Sequence, residues 1–128
     1  MTESQEQVSF FQWVRLFEDR IPALQMVFST QTGMWTVPQV AARARAEGMR
    51  KGVSDIIMLY PSGKYHGLVI EMKFGKNGMT PEQDQFIARS KEYGYQVAVC
   101  WNWVQAADVV CGYLGLQTHD PARVYFTT

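Results

Sequence analysis

The sequence predicts an α/β fold, a mixed sheet flanked by helices in the order αβ(α)ββαβα, and three observations carry that expectation. Apolar residues near the N-terminus recur at helical spacing. Two strand-like runs, 53–60 and 65–74, are separated by the turn residues Pro61, Ser62 and Gly63. A capped helical segment then leads into a short apolar run at 95–100, and a strand reached through a helix implies some parallel pairing.

From about Glu3 to Glu18 the residues Phe10, Trp13, Val14 and Phe17 mark one helical face, and Pro22 follows the end of that helix. Residues 27–32 suit a short strand and 33–38 a loop. Residues 41–49 suit a helix, but its arginines make it short, exposed or mobile. Gly75 to Gly78 breaks the second strand run. Thr80 offers an N-cap, Pro81 fits the first helical position, and Gln83 completes a capping-box pattern, so a helix begins there and stops at Gly94. Asn102 can cap a last helix from Trp103 to about Leu114, and 123–127 is a candidate final strand.

With 128 residues the chain has the length of one domain, 1–128, large enough for a real core. It contains no apolar run near the length of a membrane span. Its polar, acidic start, MTESQEQ, does not read as a secretory signal. Cys100 and Cys111 have apolar neighbours and read as buried thiols of a reducing, cytoplasmic compartment. No close pair of cysteines or histidines offers a zinc site; His66 and His119 stand alone. Trp101 and Trp103 read as core or interface residues rather than base-stacking platforms. Twelve Lys and Arg balance 12 Asp and Glu, which argues against a charge-driven coat on nucleic acid. A local basic patch remains, Arg43, Arg45, Arg50 and Lys51, which is either a solvated helix face or a grip on phosphates.

The chemistry concentrates in "GVSDIIMLYPSGKYHGLVIEMKFG", from Gly52 to Gly75. Strand residues alternate between faces, so Leu68, Ile70, Met72 and Phe74 share an apolar face while Val69, Glu71 and Lys73 share the other. An antiparallel hairpin would bring Asp55 opposite this region. One reading makes Lys73 a plain ion partner for Glu71 or Asp55 on a half-exposed face. The other starts from the apolar flanks, which suggest burial, where unpaired acids are costly. A divalent ion removes that cost, and Mg²⁺ or Mn²⁺ takes one or two carboxylates as oxygen ligands. Lys73 could then orient or deprotonate an attacking water and offset developing negative charge.

Asp55 followed by Glu71-Met72-Lys73 resembles the acid…E-x-K signature of the PD-(D/E)XK nucleases, whose core is restriction-endonuclease-like. "KGVSDIIML" and "GLVIEMKFGKNGMTPEQDQFI" are similar to the virus-type replication-repair nuclease group, VRR-NUC, over about Lys51 to Cys100. Ser54 stands where that signature's proline would precede the acid. The resemblance implies a metal-dependent DNA endonuclease using Mg²⁺ or Mn²⁺. Asp55 and Glu71 would bind the metal, Met72 would add its main-chain carbonyl, and Lys73 would act on the water. Gln83 would be the family's helix glutamine, in competition with its capping role. Family members also place an acid on the first helix; Glu6, in line with Phe10, Trp13 and Phe17, is the candidate here. Arg43, Arg45, Arg50, Lys51 and Lys76, with Lys64 in another turn, would contact DNA. Stand-alone members, often phage-encoded, are associated with four-way (Holliday) junction cleavage, which implies a homodimer with two-fold related sites. A non-catalytic DNA- or protein-binding module, a restriction-type enzyme and an RNA nuclease are the alternatives.

Overall fold

A computed structural model of the chain describes residues 2–30 and 37–116. Thr2 caps the first helix, α1 (Glu3–Phe17), through a reciprocal capping box with Gln5, a T-x-x-Q signal that the apolar spacing alone does not use. A 3₁₀ turn (Pro22–Met26) leads into strand β1 (Val27–Ser29). Helix α2 (Pro38–Ala46) begins three residues before the expected 41–49 segment, because Pro38 takes the first helical position that its fixed φ favours. Strands β2 (Ile56–Met58) and β3 (Leu68–Met72) follow, then helix α3 (Pro81–Glu92), strand β4 (Gln96–Cys100) and helix α4 (Trp103–Tyr113). Thr80 and Asn102 cap α3 and α4 as their sequences imply. The candidate strand at 123–127, and much of the expected 33–38 loop, lie outside the described residues.

The sheet is mixed, in the order β1-β2-β3-β4. β1–β2 and β2–β3 pair antiparallel, while β3 and β4, joined through α3, pair parallel. Phe10, Trp13, Val14 and Phe17 of α1, and Ala106, Val110 and Cys111 of α4, cover one face and meet Ile56, Leu68, Ile70 and Met72 there. Both thiols are buried, and burial pushes Cys100 up to about 11 and Cys111 up to about 12, leaving them packed and unreactive. No helix among the described residues is long and apolar enough to cross a membrane.

The strands are shorter than their apolar runs. Residue 55 leaves the β2 ladder, and at the other end Leu59 and Tyr60 turn out to solvent. β3 starts at Leu68, just after Gly67, whose backbone passes so close to the Met58 carbonyl that a Cβ would stand only 2.8 Å from it.

The loop into β2 is seated on α3 at Gly52. Its φ is +89°, and a Cβ there would come within 2.6 Å of the Glu82 backbone. Gly48 is also left-handed (φ +103°) but faces open space. Gly48→Ala should therefore cost only the conformational penalty, about 1–2 kcal/mol. Gly52→Ala should cost clearly more in urea unfolding, because the loop must also lift off α3; equal losses would remove that seat from the account.

Candidate active site

Thr30 fixes the chain on the way into β2. Its hydroxyl donates to the carbonyl of fully buried Ser54 (2.8 Å), and its amide donates to the Asp55 carbonyl (3.0 Å). With Asp55's main chain committed toward β1, its side chain turns to β3, where Oδ2 accepts the Met72 amide at 2.8 Å. The register pairs Ile56 with Ile70, so Asp55 falls one step further, opposite Glu71.

Glu71 lies on the sheet face away from the apolar core and is nevertheless 1% exposed. Its Oε1 is buried and receives no hydrogen bond from an amide, hydroxyl or ammonium group. Burial, then a hydrogen bond with the Asp55 carboxyl, then the Asp55 charge, push the Glu71 carboxyl up to about 9, against a smaller pull from Lys73. The Glu71 carboxyl therefore keeps its proton at neutral pH.

Lys73 is buried as well, at 7% exposed. Its ammonium donates to Gln83 Oε1 (2.8 Å) and to the Gly78 carbonyl (3.0 Å), both neutral oxygens. The simple reading of an ion partner on a half-exposed face is thereby corrected: the face is covered, and the direct acceptors are not carboxylates. Gln83 does serve two roles at once. The same Oε1 accepts the Thr80 amide at 3.0 Å to close the capping box, since a carbonyl oxygen has two lone pairs.

Two acids of the first helix lie on this side of the molecule. Glu6 is buried, and its Oε1 accepts the Trp103 amide at 3.4 Å, at the positive N-terminus of α4. The acid coupled to the site is Glu3, one turn earlier. Its pKa is raised by partial burial first and then by Asp55, with Lys73 opposing, and it enters the charge balance of Glu71. Glu3 and Asp55 also border one cleft of about 750 Å³ with Gln7 and Ser29, beside which Glu71 is buried.

The basic residues are dispersed. Arg43 pairs with Glu47 on the exposed side of α2 (2.9 Å). Arg45, Arg50 and Lys51 line a second cleft against α3. Lys76 is exposed in the turn after Lys73. Trp101, expected in the core or an interface, is 46% exposed, and its indole N–H donates to the Gly75 carbonyl (3.1 Å).

A divalent cation fits the donors present. Asp55 and Glu71 offer oxygens at one point, Glu71 keeps an oxygen that nothing donates to, and the Met72 carbonyl belongs to the same turn of strand. Among the described residues no three His, Cys, Asp or Glu side chains form a ligand cluster. Mg²⁺ needs only one or two carboxylates, completing its shell with water and substrate phosphate.

A mixed sheet with this Asp…Glu-x-Lys set is consistent with a PD-(D/E)XK-like core. The VRR-NUC domain family model matches residues 3–102, and the chain belongs to that nuclease-type family. A solved structure described as a VRR_NUC domain protein superimposes with a TM-score of 0.73, at 25% identity over 91% of each chain. No curated protein matches the chain.

The raised Glu71 pKa has a definite sign. Below the unfolded value of 4.5 both states hold the proton; between 4.5 and about 9 the folded state holds it while the unfolded chain has lost it, and stability falls as pH rises. In metal-free buffer Glu71→Gln should therefore gain on wild type between pH 5 and 8, by on the order of 1 kcal/mol per pH unit. Urea unfolding at both pH values checks this, and a difference independent of pH would contradict it.

Proposed function

We propose that this chain is a Mg²⁺- or Mn²⁺-dependent endonuclease that hydrolyses DNA phosphodiester bonds, with four-way junctions as preferred substrate and a homodimer as the working form. The observation that carries the reading is Glu71: a fully buried carboxyl, opposite Asp55, with an oxygen to which the protein donates nothing. A purely structural cluster would supply that donor, and a binding module has no use for the cost.

Asp55, Glu71 and the Met72 carbonyl would hold the ion, with Glu3 at the rim of the adjoining cleft. When bound, a divalent ion neutralises charge on a phosphoryl oxygen and makes water a better nucleophile near neutral pH. The remaining steps fall to the protein. Lys73, fixed by Gln83 and Gly78, orients the attacking water and offsets negative charge as it develops on the phosphate. Gln83 acts on the position of Lys73 while closing the first turn of α3. Lys76, exposed beyond Lys73, reaches toward flanking phosphates. The junction preference and the dimer are supported by what is associated with stand-alone family members: two sites about a two-fold axis suit symmetric cuts.

Labelled four-way junction, linear duplex and single-strand DNA, incubated with Mn²⁺ or Mg²⁺, test the reading. The junction should be cut preferentially, only with metal, and Lys73→Ala should slow cutting roughly 10²-fold or more. Light scattering of the same sample should give a dimer. Equal cutting of all three substrates, or a monomer, would remove the junction reading; no cutting by folded protein with either metal would remove the enzyme.

A further inference from the structure

The second cleft, of about 490 Å³, is not part of the carboxylate cluster. One wall is α3, where Glu82, Gln85, Phe86 and Arg89 stand at i, i+3, i+4 and i+7 and so form a single stripe. The other wall is the last turn of α2, with Arg45, and the chain that follows it, with Arg50 and Lys51. Gly52 presses this chain onto the Glu82 backbone, so the two walls hold a fixed separation.

The charges in it are lopsided. Arg45, Arg50, Lys51 and Arg89 face a single acid, Glu82, in a chain whose formal net charge is zero. Arg50, Lys51 and Arg89 are exposed, and among the described residues none has a carboxylate within 4 Å. Elsewhere the protein does pair such groups, as Arg43 and Glu47 show on α2. Arg50, Lys51 and Arg89, brought together without carboxylate partners, repel one another, and a polyanion relieves that repulsion. The cleft and the site share helix α3. Gln83, which holds Lys73, lies on the neighbouring face of the same helix as Arg89. Six residues of helix rise separate them, about 9 Å. That matches about three nucleotides of one strand, at roughly 3.4 Å each.

We propose that this cleft is a sequence-independent binding groove for the sugar-phosphate backbone of nucleic acid, in which Arg89 on α3 completes a clamp with Arg45, Arg50 and Lys51. Arg89 is absent from the sequence-derived basic patch because it lies far along the chain. The connection to Lys73 rests on the nuclease reading; the groove itself does not.

Fluorescence anisotropy of a labelled DNA duplex with the full chain, in EDTA over a series of KCl concentrations, separates the two claims. Arg89→Ala should weaken binding several-fold and lower the slope of log K against log salt by about one, and Arg50→Ala should do the same. Arg89→Lys should restore the slope. Lys91→Ala removes the same charge from α3 but lies outside the cleft, and should leave the slope unchanged. Identical behaviour of Arg89→Ala and Lys91→Ala, or no binding by wild type, would overturn the groove. A protein that binds with these slopes yet never cuts would keep the groove and lose the nuclease; one that cuts while Arg89→Ala binds as wild type would do the reverse.

Discussion

The bond from the Met72 amide to Asp55 Oδ2 is the contact on which the site depends. β2 stops as a ladder at Ile56, and the next donor on β3 would face an empty position. A carboxylate fills it in place of a carbonyl, which plants a negative group inside the sheet directly opposite Glu71. Thr30 makes this possible from the other side by occupying the carbonyls of Ser54 and Asp55. The consequence is two facing carboxyls at the covered end of two strands, one of them held up to about 9. Natural interiors seldom keep such a pair without a use, because burying unpaired charge is expensive.

α3 ties that pair to its lysine. Its cap and its reach toward Lys73 converge on one oxygen, Gln83 Oε1, so the start of the helix and the ammonium position are set together. The same helix receives the loop at Gly52 and, two turns further on, presents Arg89 to the second cleft. A single short helix thus links the chain leading to Asp55, the Lys73 ammonium and the proposed backbone groove. α1 supplies the opposite boundary, with Glu3 bordering the cleft beside Asp55 and Glu6 bound to the start of α4.

Much of this is legible in the sequence because it is local. Alternation along 68–74 separates core residues from Glu71 and Lys73, and the Thr80 and Asn102 caps fix where helices begin. The antiparallel hairpin brings Asp55 to Glu71 once the turn at 61–63 is recognised. What escapes is set by packing between distant segments. Periodicity puts Glu6 on the buried stripe of α1, which is where it lies, but its partner is the Trp103 amide, 97 residues away. Glu3 extends the same stripe by one turn, in the first turn that the Thr2 capping box holds, and periodicity does not tell which of the two acids meets Asp55. The sequence leaves Gln83 divided between the cap and a place beside Lys73; one oxygen with two lone pairs accepts both hydrogen bonds. Arg89 could be picked out only by knowing that Gly52 sits on Glu82.

The proposed nuclease site requires that Glu71 give up its proton when it and Asp55 take a divalent cation. The most direct measurement is proton release on adding Mn²⁺ near pH 7.5, from calorimetric titrations in two buffers of different ionisation enthalpy. The account predicts saturable binding with release of about one proton, both lost in Glu71→Gln. Binding without proton release, or equal binding by Glu71→Gln, would contradict it.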